Sequence, residues 1–275
     1  MILTLRCPAK VNLFLSVGPK DEKNFHPLRT VFQAVSLFDV LAISTKATKT
    51  EISCEGFDLP KENTLTKTLN YVSELVPIPP LRIHLRKNIP SEAGLGGGSS
   101  DAAGLLRALQ KILSTPLNKD QIFDIAAAIG KDVPFFLLGG RAKAEGYGER
   151  LTPIRDDSVL WMVIAQPKTK VSTLKAYVAL DAKERKSSTF PEDMNEFYND
   201  FEQVAPGACI KLKTELLKLG AREALLCGSG SAVFGIFDGF YVAEQVAMQL
   251  VQQGYPFCKV VHSLTQKESL WTLLF

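Results

Sequence analysis

Residues 90–103 read PSEAGLGGGSSDAA and run directly into GLLRALQKIL. Gly94, Gly96, Gly97 and Gly98 leave the backbone bare, and Ser99, Ser100 and Asp101 are residue types that open or cap helices. Beyond them Ala102, Leu105, Leu106, Leu109, Ile112 and Leu113 recur at near-helical spacing, with Arg107 and Lys111 toward the other side. The stretch therefore predicts a glycine loop feeding an amphipathic helix. Glycine permits positive φ and removes the Cβ that would hold a ligand off the chain. A helix start adds unsatisfied N–H groups and the positive end of the helix dipole. Together they suit a phosphate; the plainer reading is a flexible turn or a tight helix–strand approach.

The familiar phosphate loops do not fit. A Walker A loop needs Lys after its last glycine and a Rossmann turn needs a third glycine; Ser99 stands in both places. No HRD and DFG pair points to a protein kinase. The surroundings are those of a globular protein: 275 residues, 46% hydrophobic, 22% charged, net charge +3. That length favours two domains, with a soft boundary in the loop Thr152–Asp157. The small, scattered charge gives no case for a nucleic-acid partner. Cys7, Cys54, Cys209, Cys227 and Cys258 are odd in number and lack a CxxC pair, so unpaired buried thiols in a reducing compartment are expected. MILTLRCPAK opens as a strand rather than a leader, and no apolar run reaches the ~20 residues of a membrane span. The expectation is a cytoplasmic protein with no membrane or obligate protein partner.

Periodicity gives mixed α and β structure. Strands are expected at Ile2–Arg6, Val11–Val17 and Leu81–Arg86; in the last, Leu81, Ile83 and Leu85 alternate with Arg82, His84 and Arg86, so His84 faces solvent. Helices are expected at Asn63–Leu75, with Asn63 as N-cap, and at Lys119–Ile129, closed by Gly130. The second half reads as strands at Val159–Ala165, Leu225–Leu226 and Ala232–Phe237 among helices near Thr173–Leu180, Ile210–Leu219 and Val242–Gln253. A loop at Lys183–Pro191 overlaps the lysine-rich Asp181–Ser188, either mobile or simply solvated.

Two further stretches carry chemistry. PAKVNLFL at 8–15 sets Lys10 and Asn12 two apart on a strand, hence on one face. CGSGSAVFG at 227–235 is a second glycine turn between apolar strands. Lys10 is either an edge charge in water or a buried cation that needs a carboxylate. Asp132, between Gly130 and the apolar run Phe135–Leu138, is either a helix-junction hydrogen-bonder or a base at a pocket wall.

In order and separation these three stretches resemble the motifs of the GHMP kinase superfamily, which phosphorylates small molecules with ATP: a P-x-K/R-x-N strand, a P-x-x-x-G-L-G-G-G-S-S-x-A loop and a G-S-G-x-x-x-F turn. The resemblance runs over the whole chain. It implies an α+β fold of two lobes with the site in the cleft between them. The N-terminal ribosomal-protein-S5-domain-2-like lobe, 1–153, would hold ATP; the C-terminal ferredoxin-like α/β-plait lobe, 154–275, would help bind substrate. KNFHPLRTVFQAVSLFD, KDVPFFLLGGRAKAEGYGE and VSTLKAY are similar to the branch that phosphorylates the 2-hydroxyl of 4-diphosphocytidyl-2-C-methyl-D-erythritol in non-mevalonate isoprenoid biosynthesis.

That resemblance assigns catalysis to Lys10 and Asp132, the latter as base. It assigns ATP to Pro90, Gly94, Leu95, Gly96, Gly97, Gly98, Ser99 and Ser100, with Mg2+ near Ser99 or Ser100 and no firm metal ligand. Lys87 is a solvated strand-end lysine or reaches the nucleotide. Substrate falls to Asn12, Phe25, His26, Thr173 and Tyr177, with Phe25 and Tyr177 as walls for the cytosine, and Gly228, Ser229 and Gly230 approach the site as the third motif. Three residues depart from the branch's pattern: Cys7 and Lys131 where small residues are usual, and Asn24 where Gly is frequent. A kinase for mevalonate, homoserine or a sugar is the nearest rival, but those substrates have no base to sandwich. A silent binding protein would have no need of Asp132, and a Rossmann dehydrogenase fails on the missing glycine.

Overall fold

The structure is a computed structural model that describes residues 1–56, 58–155, 158–183, 190 and 196–274, the side chains of 272–274 excepted. Ile2–Val17 (β1) and Leu28–Ser44 (β2) pair antiparallel over almost their whole length. The two strands expected in the first seventeen residues are thus one. From Cys7 onward every residue of β1 is buried, because other layers cover both its faces, and such a strand shows no alternation to read. Irregular register at Pro8/Ala9 and Asn12/Phe14 bends it beside the residues of interest.

After this hairpin come β3 (Glu51–Cys54), α1 (Thr64–Ser73), β4 (Arg82–Arg86), α2 (Gly97–Ile112), α3 (Lys119–Ile129), α4 (Val133–Leu138), β5 (Arg141–Glu145) and β6 (Arg150–Ile154). The remainder gives β7 (Trp161–Gln166), α5 (Thr173–Asp181), β8 (Tyr198–Asn199), α6 (Gly207–Lys218), β9 (Glu223–Leu226), β10 (Val233–Phe237), α7 (Phe240–Gln252), β11 (Phe257–His262), α8 (Gln266–Ser269) and β12 (Thr272–Leu274). Thr152–Ile154, expected in a loop, end β6; positions 156 and 157 and most of the Lys183–Pro191 loop lie outside the described residues.

The first sheet runs β12-β1-β2-β4-β3, with β5 on β2, β6 on β5 and β8 on β1. α2 lies against β1, its Leu105, Leu106 and Leu109 sharing a core with Leu3, Leu5, Leu41 and Ile83. It is buried nearly all round, so Arg107, expected toward the outer side, is half-buried and donates to the Arg6 carbonyl at 3.3 Å. α1 starts as expected on an Asn63–Thr66 capping box. α3 has the expected bounds, but Gly130 closes it in extended backbone at φ −179° rather than left-handed. His84 is exposed on β4, as the alternation required.

The second sheet is antiparallel in the order β11-β7-β10-β9. Leu180, Leu212, Leu216, Val246 and Leu250 from the helices cover one face. The other face, with Met162, Ile164, Phe234 and Ile236, packs on Val11, Leu13 and Val35 of the first sheet. The two sheets therefore share a core, which fixes the third glycine turn, between β9 and β10, against β1. All five cysteines are free; Cys54 and Cys258 are half-buried rather than buried as expected. Among the described residues no helix is long and apolar enough to cross a membrane.

Candidate active site

β1 carries Lys10 into the interior, where it is 4% exposed. Its backbone N–H donates to the Leu95 carbonyl at 3.0 Å, joining strand and glycine loop. The ammonium donates to Asn12 Oδ1 at 2.8 Å, lies 3.6 Å from Asp132 Oδ2 and sits over the Phe32 ring. Asn12 donates to Thr30 Oγ1 at 2.8 Å and Thr30 to the Phe14 carbonyl at 2.7 Å, a chain that fixes which way the amide faces. Asp132 occupies the N-cap position of α4 yet accepts no capping hydrogen bond, and its side chain is 33% exposed. The edge-charge reading of Lys10 is thereby excluded, and the Asp132 carboxylate is left for the cleft.

The glycines have two separate reasons to be glycine. A Cβ at Gly94, where φ is +77°, would lie 1.8 Å from the Cys227 carbonyl oxygen; at Gly96, where φ is +73°, it would lie 2.8 Å from Phe136 Cζ. At Gly97 it would meet Lys87 Nζ at 3.0 Å, whereas at Gly98 the nearest atoms, on Thr64, are 3.6 Å away. Gly94 and Gly96 are required by close packing and by their positive φ, a cause the phosphate argument alone did not supply; Gly97 meets only the tips of side chains, and Gly98 stands open. α2 begins at Gly97 with Gly96 as N-cap, so Ser99 and Ser100 lie in its first turn instead of capping it. The N–H groups of Gly97, Gly98 and Ser99 have no intrahelical acceptor, while that of Ser100 bonds to the Gly96 carbonyl. The loop borders a cavity of about 460 Å³ lined also by Leu59, Asn63, Leu85, Ile89 and Pro90.

The third glycine turn meets this loop directly. Ala232 donates to the Ala93 carbonyl at 3.2 Å, and a Cβ at Gly228 would lie 3.2 Å from the Gly94 oxygen and 3.4 Å from Lys10 Nζ. Ser229 Oγ is 3.0 Å from Thr173 Oγ1 at the start of α5. Asn199, buried on β8, donates to both the Leu226 and Gly228 carbonyls at 2.8 Å and so holds the turn from behind.

Lys87 is not a solvated lysine. Its ammonium bonds to Asp39 and, at 2.9 Å, to Asp101, both carboxylates buried beneath the loop. Asp39 also accepts the N–H groups of Asn88 and Ile89. Burial, then Asp39, push the Asp101 carboxyl up to about 7 against the pull of Lys87. Burial draws Lys87 downward, but the two carboxylates outweigh it and its pKa is raised. Asp101 was read only as a helix-opening residue and Asp39 was not singled out, although an acid in the apolar run VSLFDVLAI of β2 is a usable signal.

At the other end of the cleft each expected aromatic wall has its own ring partner. Phe25 is 55% exposed and leans on Tyr147, ring centroids 5.4 Å apart. His26 instead stacks on Tyr177 at 4.8 Å, with Nδ1 3.0 Å from the Gly18 carbonyl and Nε2 3.4 Å from Asp181. Burial, with the charge of Asp132 adding to it, pushes the Tyr177 phenol up to about 12. The three departures each have a place. Asn24 adopts φ +59°, a left-handed conformation that Gly or Asn tolerates. Cys7 fills the space beside Gly104, where a Cβ would lie 2.5 Å from its sulfur. Lys131 turns its ammonium over the Tyr147 ring at 5.5 Å.

Two sheets sharing a core, a glycine loop at a helix start, and a second glycine turn closing on a buried lysine define a GHMP kinase, and residues 63–140 match the family described as GHMP kinases N terminal domain. A 4-diphosphocytidyl-2-C-methyl-D-erythritol kinase of Syntrophus aciditrophicus (strain SB) is 38% identical over 268 residues, covering 92% of this chain and 96% of its own. A crystal structure of 4-(cytidine 5'-diphospho)-2C-methyl-D-erythritol kinase superposes with a TM-score of 0.82 at 32% identity, covering 94% of this chain and 98% of that one. The chain belongs to the 4-diphosphocytidyl-2-C-methyl-D-erythritol kinase family. A homoserine kinase of Cytophaga hutchinsonii ATCC 33406 superposes with a TM-score of 0.73 at 18% identity, a likeness of fold alone.

Proposed function

We propose that this chain transfers the γ-phosphoryl group of ATP to the 2-hydroxyl of 4-diphosphocytidyl-2-C-methyl-D-erythritol, giving the 2-phosphate and ADP. The observation that carries this reading is the Lys10–Asp132 pair, set 3.6 Å apart where the glycine loop, α4 and the third glycine turn meet. Phosphoryl transfer needs positioning, charge stabilisation and a group to take the alcohol proton. Asp132, uncommitted to capping and open to the cleft, accepts that proton. Lys10, with Asn12 fixing its ammonium, orients the carboxylate and has donor capacity left for a phosphate oxygen. The free N–H groups of Gly97, Gly98 and Ser99 cradle the ATP phosphates, and the cavity beside Leu59, Asn63 and Ile89 takes the nucleoside. Phe25, His26, Tyr177 and Thr173 hold the cytidyl substrate, with the lobes divided near residues 153/154.

Among the described residues no cluster of three or more His, Cys, Asp or Glu forms a metal cage. Mg2+ would arrive on ATP, held by phosphate oxygens and water with the Ser99 hydroxyl nearby. Bound there, the ion supplies charge neutralisation of the phosphates. We place the reaction in the cytoplasm.

The test is ADP release with ATP and Mg2+ and one alcohol at a time: the cytidyl substrate, mevalonate, homoserine and galactose. Turnover is expected on the cytidyl alcohol alone. Asp132→Asn should lower kcat by about 10²–10⁴-fold, the usual share of a general base, with KM for ATP little changed. Wild-type turnover in that variant would remove Asp132 from the mechanism, and turnover on another alcohol would replace the substrate.

A further inference from the structure

Tyr147 lies in the turn between β5 and β6, a position to which neither the motifs nor the mechanism gives a role. Its backbone N–H is tied to Glu149 at 2.7 Å, which fixes the turn. Its hydroxyl donates to one carboxylate oxygen of Asp21. The other oxygen of Asp21 accepts the N–H groups of Lys23 at 2.9 Å and Phe25 at 3.1 Å, and the backbone closes the same turn with Asp21 N–H on the Phe25 carbonyl at 2.9 Å. One carboxylate thus organises the short turn that presents Phe25, and one phenol anchors that carboxylate. The ring of Tyr147 packs against Phe25 and also takes the ammonium of Lys131, the residue before Asp132.

We propose that Tyr147 is a positioning residue for the substrate base: it latches the 21–25 turn, and with it Phe25, to the segment next to Asp132, and keeps the Lys131 charge off the carboxylate. The consequence for substrate rests on the functional reading above, in which Phe25 meets the cytidyl base. A turn of exposed residues with a left-handed Asn24 does not hold an aromatic ring in place by packing, because more than half of Phe25 is in water. The hydrogen bond from Tyr147 supplies the missing constraint, and charge-assisted bonds of this kind are about twice as strong as neutral ones.

Tyr147→Phe keeps both ring contacts and removes only the bond to Asp21; Asp21→Asn weakens the same bond from the other side. Two readouts apply to the full-length protein. Amide hydrogen exchange at Lys23 and Phe25, without substrate, should speed up at least about tenfold in Tyr147→Phe while β5 and β6 stay unchanged. Unaltered exchange there overturns the latch. In steady-state kinetics each variant should raise KM for the cytidyl substrate about 3- to 10-fold, with kcat and KM for ATP within about twofold, and the double variant should be no worse than the worse single one. A parallel rise in both KM values, effects that multiply, or no change would overturn the positioning role. A wild-type protein inactive on the cytidyl substrate would refute the functional reading instead, and the exchange result would still decide the latch.

Discussion

Two lysines lie under the same glycine loop and are held in opposite ways. Lys87 sits between two buried carboxylates, Asp39 and Asp101, and bonds to both. Lys10 has one amide oxygen at 2.8 Å and one partly open carboxylate at 3.6 Å. The first ammonium is held by two carboxylates that pin it to the loop floor. The second keeps donor capacity for something that is not protein. A buried cation left short of partners is costly, and in the proposed mechanism a phosphate oxygen of the ligand makes up the shortfall at Lys10.

The glycines divide along the same line, which gives the largest expected effect. Gly94, on the Lys10 side, faces a backbone oxygen that cannot move aside, and its φ is positive besides. Gly97, on the Lys87 side, faces the tip of a side chain. Gly94→Ala should therefore abolish ATP turnover or prevent folding altogether, whereas Gly97→Ala should leave a folded enzyme with a raised KM for ATP. Expression, thermal melting and ATP kinetics of the pair check this; equal damage from both would mean that the loop is not wedged against the third glycine turn.

Lys87→Met comes next. It strands Asp39 and Asp101 in the interior, and breaking a buried ion pair from one side costs about 3–5 kcal/mol. At roughly 2–4 °C per kcal/mol for a protein of about this size, Tm should fall by about 10 °C. An unchanged Tm would show that Lys87 is not a structural cation.

The smallest effect is pH-dependent. Asp101 titrates near 7 in the folded protein, above the ordinary carboxylate value of 3.8. Between those values the folded state binds the proton more tightly than the unfolded one. The stability linked to this proton is present below pH 3.8 and is lost as pH rises through 7, with a slope on the order of 1 kcal/mol per pH unit at most. Asp101→Asn cannot titrate, so its Tm relative to wild type should climb between pH 4 and 7 and level off above. A difference that is flat across this range would place the proton elsewhere.

This contrast also shows how far sequence reaches. The loop, the Lys10–Asn12 face and the third glycine turn were legible because backbone chemistry writes itself in glycine and two-residue spacing. The Lys10–Asp132 contact was expected from a need for charge pairing, and the geometry supplied it. The solvated reading of Lys87 fails because its partners come from β2 and α2, 48 and 14 residues away, and no local pattern joins them. β1 was split in two because a strand buried on both faces has no alternation to count. Phe25 and Tyr177 were expected as facing walls, but local wording does not say that His26 takes the Tyr177 ring and Tyr147 takes Phe25.

The central claim, that Lys10 acts and Lys87 holds, is tested most directly by measuring kcat and Tm of Lys10→Met and Lys87→Met side by side, at a temperature where both are folded. The account predicts that Lys10→Met melts within a few degrees of wild type but loses at least ~10²-fold in kcat, the scale of a lost charge-stabilising contact at a reacting group. Lys87→Met should melt about 10 °C lower and keep kcat within about tenfold. A Lys10→Met protein that turns over normally, or a Lys87→Met protein that is stable and inactive, would contradict it.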